Sequence, residues 1–523
     1  MMKKIIDKIA LIIPKKISLL GLLITFNILL YLPSLLEPVS YGDECIYLTL
    51  GNGLRKGQVF YRDIHDNKPP LLYLAAALTQ SLTNFRLLTI AWNVAHLAVI
   101  FKLINLLTKN KYIPFVGGLI FSLLLLIMEG RIANGEVFMM MPATLAVYLY
   151  WKSLEKNNVK NKLRFGIVLG LLFSFGFLFK IPLAFDFVGI LIAIFIFKIE
   201  KFKYNLNQLK GVFLNLLSNK MLWGMISGFA LPILLSIAYY GSKGAFEPYV
   251  RSALMQNIGY LSSWQGSNMG LYVRLGLLGI FSLLMFIFRK KINYKLIFFT
   301  TWYVYAMFGV LLSARPYPHY LVEIIPSLTV LIVLALDKIS PKNKFKISVP
   351  NEYSLAAVFS IVLLAFVFKY YNFWYYKQLP YYSNFLKYIT KQIDQQEYFE
   401  YFGGKTNNDY KISRFIRGTL GNNDSVYIWG DAACIYTLSN QQPPGRYAVN
   451  YHIYDFDGFN ETLAAIEKNM PRIIVKLPEE KREWEDLNNY LYNNYYLLKL
   501  DNIEGEIYIR NSQINNKSGK ITF

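Results

Sequence analysis

Charge is what this chain has little of. Only 17% of its 523 residues are charged, and acids are the scarcer kind: 33 Asp and Glu stand against 55 Lys and Arg. A soluble chain carries roughly 25% charged residues, and a disordered one combines low hydrophobicity with high charge density. Neither description fits, since apolar residues make up 54% of the chain and the mean hydropathy is +0.31. Cysteine is scarce as well. Cys45 and Cys434 stand alone, too few for a disulfide framework or a cysteine-rich metal site. Two lone buried thiols are the commoner case for such a pair; a single bridge stays open, subject to the strict geometry of the bond. No Walker A sequence, His-Glu-x-x-His or Gly-x-Ser-x-Gly occurs, which removes the commonest ATPase, zincin and hydrolase readings.

What is present is a series of apolar runs. The first, residues 17–38, follows the lysine-rich start Lys3, Lys4, Lys8, Lys15 and Lys16. It is too long for a signal-peptide core and lacks a small-residue cleavage site. Further spans are expected at about 85–107, 112–128, 137–151, 165–179, 182–198, 221–240, 270–288, 296–313, 321–336 and 354–371; several are short for a bilayer crossing, so tilted, extended or broken helices are expected among them. The result is an α-helical polytopic membrane protein of about eleven transmembrane helices. The formal charge of +22 supports this placement. The basic residues cluster between the runs, at 152–164, 198–210, 289–295 and 338–346, and with the N-terminus inside, parity puts nearly all of them on the cytoplasmic side. The same arrangement speaks against nucleic acid as partner, because no recognition module is present. The stretch 69–82 must then not span, since counting it would reverse every later loop. It is read as an interfacial or re-entrant helix opened by Pro69 and Pro70.

From about residue 372 the composition turns to Asn, Asp, Glu and Tyr. This gives a division into a membrane domain, 1–371, with a long first outer loop at 39–84, and a small soluble α/β domain, 372–523, outside the cytoplasm. Strands are expected at 425–429, 472–477, 496–500 and 506–510, with a helix at 460–469.

The densest polar sequence lies in the first loop. It contains Tyr41, Gly42, Asp43, Glu44 and Tyr47, then Gly57, Tyr61, Asp63, Asn67, Lys68, Pro69 and Pro70. Ionisable groups at the membrane surface are costly and tend to be functional, although two carboxylates just past a span also simply mark a helix end in water. The pattern of Asp43-Glu44, Tyr47, Gly57, Tyr61, Asp63 and Lys68-Pro69-Pro70 resembles the first outer loop of the polytopic GT-C glycosyltransferases. It is closest to the bacterial branch of protein O-mannosyltransferases and the aminoarabinose transferase of lipid A.

The resemblance implies a bacterial inner-membrane enzyme. It would take a sugar from a polyprenyl-phosphate donor to a hydroxyl on a glycan, lipid or protein acceptor, with inversion. By motif match Asp43 takes the position of the catalytic base, with Glu44 either assisting it or holding a basic residue. Lys68 takes a carrier-phosphate position, where a compact cation with several donors is suited. Arg315, His319 and Lys180 are further donor-phosphate candidates. Glu136 and Arg131, with Tyr61 and Asp63, are candidates to orient the acceptor. The plainer readings are a dipole-satisfying Glu136, a snorkelling Lys180 and an ordinary interfacial His319. Related transferases can carry a glutamate before the lysine that joins histidines at a metal. Here Asn67, a poor ligand, stands there, so no cofactor is named and a divalent ion stays open. Asp455-Phe456-Asp457 resembles an Asp-x-Asp signature but has no nucleotide-binding βαβ before it. The rival classes are a transporter or flippase of lipid-linked saccharides, for which Asp186 is an intramembrane candidate, and a non-catalytic scaffold.

Overall fold

The computed structural model describes residues 18–156, 159–199, 218–255, 269–338, 351–421 and 424–511. The N-terminal lysines, most of the 198–210 and 338–346 basic clusters and the stretch 256–268 between two expected spans lie outside the described residues. The chain falls into two compact units. One comprises Met1–Leu35, Arg86–Tyr239 and Ala253–Gln378; the other comprises Leu36–Phe85, Tyr240–Ser252 and Leu379–Phe523.

The regular elements described in the first unit are all helices, joined by short turns, and each expected span contains a helix. Six segments are long and apolar enough by themselves to cross a bilayer: Leu19–Leu36, Leu82–Leu107, Lys220–Ser242, Gly270–Ile287, Pro318–Lys338 and Glu352–Tyr370. The others are Ile113–Ile127, Gly135–Lys156, Lys162–Phe177, Leu183–Ile199 and Tyr294–Val310. Burial separates these helices by role. Tyr294–Val310 is covered along almost its whole length, packed against Leu183–Ile199 and the Pro318–Ile324 turn. Met269–Ile287 instead exposes Leu277, Ile280 and Leu283, as an apolar helix facing lipid does. Lys162–Phe177 and Lys220–Ser242 meet through glycines: a Cβ on Gly170 would lie 2.1 Å from the Met225 carbonyl oxygen, and one on Gly228 2.3 Å from that of Ile167. Small residues at this spacing let backbones approach without a hydrophobic driving force between the helices.

The second unit opens with the helix Gly42–Arg55, packed on Leu71–Thr79. The latter helix starts directly after Pro70 and has nine residues, about 14 Å at 1.5 Å per residue, under half the hydrocarbon thickness of a bilayer. The unit also holds a four-stranded sheet: β1 (Val426–Trp429), β2 (Ile473–Lys476), β3 (Tyr495–Leu498) and β4 (Glu506–Arg510), in the order β1-β2-β4-β3. β1 and β2 run parallel; β4 is antiparallel to both β2 and β3. Alternation sorts the side chains to two covered faces. Val426, Ile428, Ile473, Val475, Ile507 and Ile509 pack with Ile412, Ile416 and Ile435. Tyr427, Trp429 and Ile474 pack with Ile466, Leu487 and Leu491 on the opposite side.

One expectation is corrected. Cys45 and Cys434, expected as lone thiols, form a disulfide with their Cα atoms 4.7 Å apart. The helix Ala433–Ser439 lies against Gly42–Arg55. Thr437 Oγ1 donates to the Cys45 carbonyl at 2.9 Å, and Thr49 Oγ1 donates to the Ala433 carbonyl at 3.1 Å. These bonds hold the two cysteines in register across a separation of 389 residues.

Candidate active site

In the second unit, Asp43 sits in the first turn of Gly42–Arg55. Its Oδ2 accepts a 3.1 Å hydrogen bond from the Tyr47 hydroxyl, one turn along the same helix. Lys68 Nζ stands 3.8 Å from Asp43 Oδ2 and 3.9 Å from Asp66 Oδ2, over the Tyr47 ring at 5.0 Å. The ammonium therefore lies between two carboxylates that differ in surroundings. The Asp43 side chain is 29% exposed, that of Asp66 1%. Burial first, and then the Asp66 charge, hold the Tyr73 phenol protonated beside it. Glu44 is buried.

The loop that delivers Lys68 is strongly constrained. Tyr61 takes a left-handed φ of 71° and is fully buried, its ring in contact with Tyr240 and Tyr249. Its hydroxyl donates to the Lys68 carbonyl at 2.8 Å. Tyr61 thus fixes the backbone of the lysine, and its hydroxyl is engaged there. Asp63 accepts from the Val59 N–H and from the Arg62 guanidinium at 2.7 and 2.9 Å, and that arginine holds its carboxyl below the usual range. This is a loop brace. Two residues missed by the sequence reading complete the cluster. Asp66 lies two positions before Lys68, a cue that could have been weighed. His452, on the short helix Asn450–Asp455, places Nε2 3.5 Å from Asp66 Oδ1. Burial lowers the His452 pKa and Asp66 opposes the shift. His65 is lowered well below its ordinary value by burial and then by His452.

In the first unit, Glu136 opens Gly135–Lys156 and forms an ion pair with Lys180, whose ammonium lies 4.3 Å over the Tyr320 ring. His319 joins them: Nδ1 is 2.9 Å from Glu129 Oε2, and Nε2 is 4.0 Å from Glu136 Oε1. Glu129 was also missed; it sits beside Arg131 at a left-handed φ of 61°. Arg131 is buried, its guanidinium 5.7 Å from the Tyr376 ring. Arg315 is half-buried, with its backbone N–H donating to Ser313 Oγ. A cavity of about 290 Å³ borders Glu136, Lys180, Tyr320 and Glu323; Phe185, Leu271, Leu275 and Phe308 supply apolar wall. Asp186 Oδ1 accepts from Trp302 Nε1 at 2.6 Å. The structure thus joins Glu136, Lys180 and His319 in one cluster, and Asp43 and Lys68 in another. Among the described residues no group of three or more His, Cys, Asp or Glu side chains is arranged to hold a metal ion.

The family described as dolichyl-phosphate-mannose-protein mannosyltransferase matches residues 67–223. Lys68, Glu136 and Lys180 fall inside that stretch; Asp43 precedes it and His319 follows it. No curated protein matches the chain. Among solved structures, ArnT from Cupriavidus metallidurans bound to undecaprenyl phosphate superposes with a TM-score of 0.54 at 12% identity, covering 94% of this chain and 98% of that one. The apo state of the same protein gives 0.51 at 13% identity, covering 93% and 97%. The chain has the ArnT-like GT-C fold. Near-complete coverage in both directions means that the GT-C likeness takes in the C-terminal segment as well as the helical unit. A shared fold does not by itself assign chemistry; the argument for chemistry rests on the two clusters.

Proposed function

We propose that this protein is an inverting glycosyltransferase that moves a sugar from a polyprenyl-phosphate carrier to an acceptor hydroxyl at the outer face of the membrane. The observation that carries the reading is Lys68 held between Asp43 and Asp66 on a GT-C fold, with Asp43 the more open of the two acids. In the reaction, the acceptor oxygen attacks the anomeric carbon from the face opposite the phosphate, and Asp43 takes the hydroxyl proton. The bond between the anomeric carbon and the phosphate oxygen breaks, and the electron pair leaves with the polyprenyl phosphate. Lys68 balances the charge that develops on that phosphate. Tyr47 orients the base through its hydrogen bond.

The outer-face placement draws support from the Cys45–Cys434 bridge, because structural disulfides persist in oxidising compartments and are rare in the cytosol. A bacterial inner membrane with the C-terminal segment outside is the matching location. The Glu136–Lys180–His319 cluster, beside its largely apolar cavity, is a second polar element of the same enzyme. We assign His319 and Lys180 to donor-phosphate contact and Glu136, with Arg131, to orientation, while Arg315 extends the basic side. The test is transfer by membranes supplied with polyprenyl-phosphate sugars and candidate acceptors. Wild type should transfer and Asp43→Asn should lose the activity by about a hundredfold or more, the range for a general base. Equal transfer by both removes Asp43 from the mechanism.

A further inference from the structure

The C-terminal segment supplies a residue to the Asp43 cluster that no motif in the first loop announces. His452 is 1% exposed. Neither of its ring nitrogens makes a well-aligned hydrogen bond among the described residues, yet Nε2 faces Asp66 Oδ1 at 3.5 Å. Asp66 is equally buried and is itself one of the two carboxylates beside Lys68. A buried carboxylate is costly unless donors and cations satisfy it. Asp66 has the Asn67 N–H at 2.6 Å, the Lys68 ammonium on the other oxygen, and the His452 ring.

We infer that His452 and Asp66 form a positioning pair, with His452 sharing the Asp66 charge so that Lys68 stays between Asp66 and Asp43 instead of collapsing onto the buried acid. The inference rests on the reading of Lys68 as the carrier-phosphate contact. The physical reason is competition. Lys68 has one charge and two carboxylates at nearly equal distance. A donor on Asp66 weakens the hold of that acid on the ammonium. An anionic lipid head can then recruit the lysine without leaving Asp66 uncompensated. The surroundings of His452 suit a neutral donor. Asp66 and Lys68 act on it more strongly than Asp455 and Asp431 do, and the His65 ring meets it edge-on at 5.2 Å. His452 acts through Asp66 and Lys68 and is not assigned contact with substrate.

The experiment measures undecaprenyl phosphate binding to the purified full-length protein in nanodiscs. A Gln amide nitrogen reaches about as far as the imidazole Nε2, whereas that of Asn does not. His452→Asn is therefore expected to weaken binding about tenfold, in the range of a hydrogen bond to a charged group. His452→Gln recovers most of that loss. In a Lys68→Met background, itself much weaker, Asn and Gln at 452 give the same affinity. Intact disulfide and an unchanged melting profile are checked for each variant; both substitutions are polar, so a misfolded one leaves the other to decide. Loss with Lys68→Met but wild-type binding by His452→Asn overturns the positioning pair alone. So does an Asn loss that persists undiminished in the Lys68→Met background, which is what a merely structural histidine would give. Unchanged binding by Lys68→Met removes the phosphate reading, and the pair falls with it.

Discussion

Lys68 and Lys180 are chemically identical side chains with similar shielding, 17% and 14% exposed, and they are held in different ways. Lys180 is in direct contact with Glu136, which is buried, and is capped by the Tyr320 ring. Lys68 is split between two carboxylates at 3.8 and 3.9 Å, one of them partly open. A cation committed to one buried partner is part of the scaffold, and removing it strands a charge. A cation shared loosely between two acids can be drawn to a third anion at small cost. The contrast divides labour. In the proposed reading Lys68 responds readily to a phosphate, whereas Lys180, assigned there to donor-phosphate contact as well, also keeps its cavity wall in order.

The sharpest way to break this contrast is to remove each lysine in turn. Lys68→Ala should depress sugar transfer by about 10²–10³-fold, the scale of losing one preorganised charge contact in a transition state, with little change in unfolding temperature. Lys180→Met should cost about 3–5 kcal/mol of stability by stranding buried Glu136, read by thermal or denaturant unfolding in detergent. A Lys180→Met, Glu136→Met double variant should recover much of that loss. A double variant as unstable as the single one would show that the pair is not the source.

The C-terminal segment was legible in part. Its four strands and the helix Phe459–Asn469 follow from alternating apolar residues and turn positions, because period-2 burial on two faces is written locally in the chain. The helical spans were legible for the same reason, as runs. The first-loop acids and Lys68 were legible as a motif. His452 was not, since a single histidine in a polar segment carries no periodicity and its partner lies far away in sequence. The Cys45–Cys434 pairing was hidden likewise. It depends on Gly42–Arg55 docking on Ala433–Ser439, and nothing local marks that contact. Glu129 went unweighed because its role appears only when the short 129–134 turn brings it to His319.

The bridge offers the next test of the contrast. Cys45→Ser should lower stability by about 2–5 kcal/mol, the usual cost of losing a native disulfide, and abolish the mobility difference between reduced and non-reduced samples. Because Cys45 lies two residues from Asp43, transfer should also fall. A loss of stability with full transfer would mean that the Asp43 site keeps its shape without the tether.

The smallest expected effect separates buried charge that serves the site from buried charge that does not. Burial lifts the Asp409 carboxyl to about 7 from an ordinary 3.8. A folded-state value above the unfolded one means that stability is fully present below about pH 4 and is lost as the pH climbs through 7. Asp409→Asn should therefore be the more stable protein at pH 8, by a small upward shift in melting temperature, with the gap closing toward pH 4. Transfer should not change. A gap that widens on acidification would reverse the assigned direction.

The most direct test of the whole account is single-turnover transfer from an anomerically defined polyprenyl-phosphate sugar, with the product linkage and the freed carrier measured together. The account predicts one equivalent of polyprenyl phosphate released per sugar moved, inversion at the anomeric carbon, and neither product from Asp43→Asn. A product of retained configuration, or undiminished transfer by the Asp43→Asn protein, would contradict it.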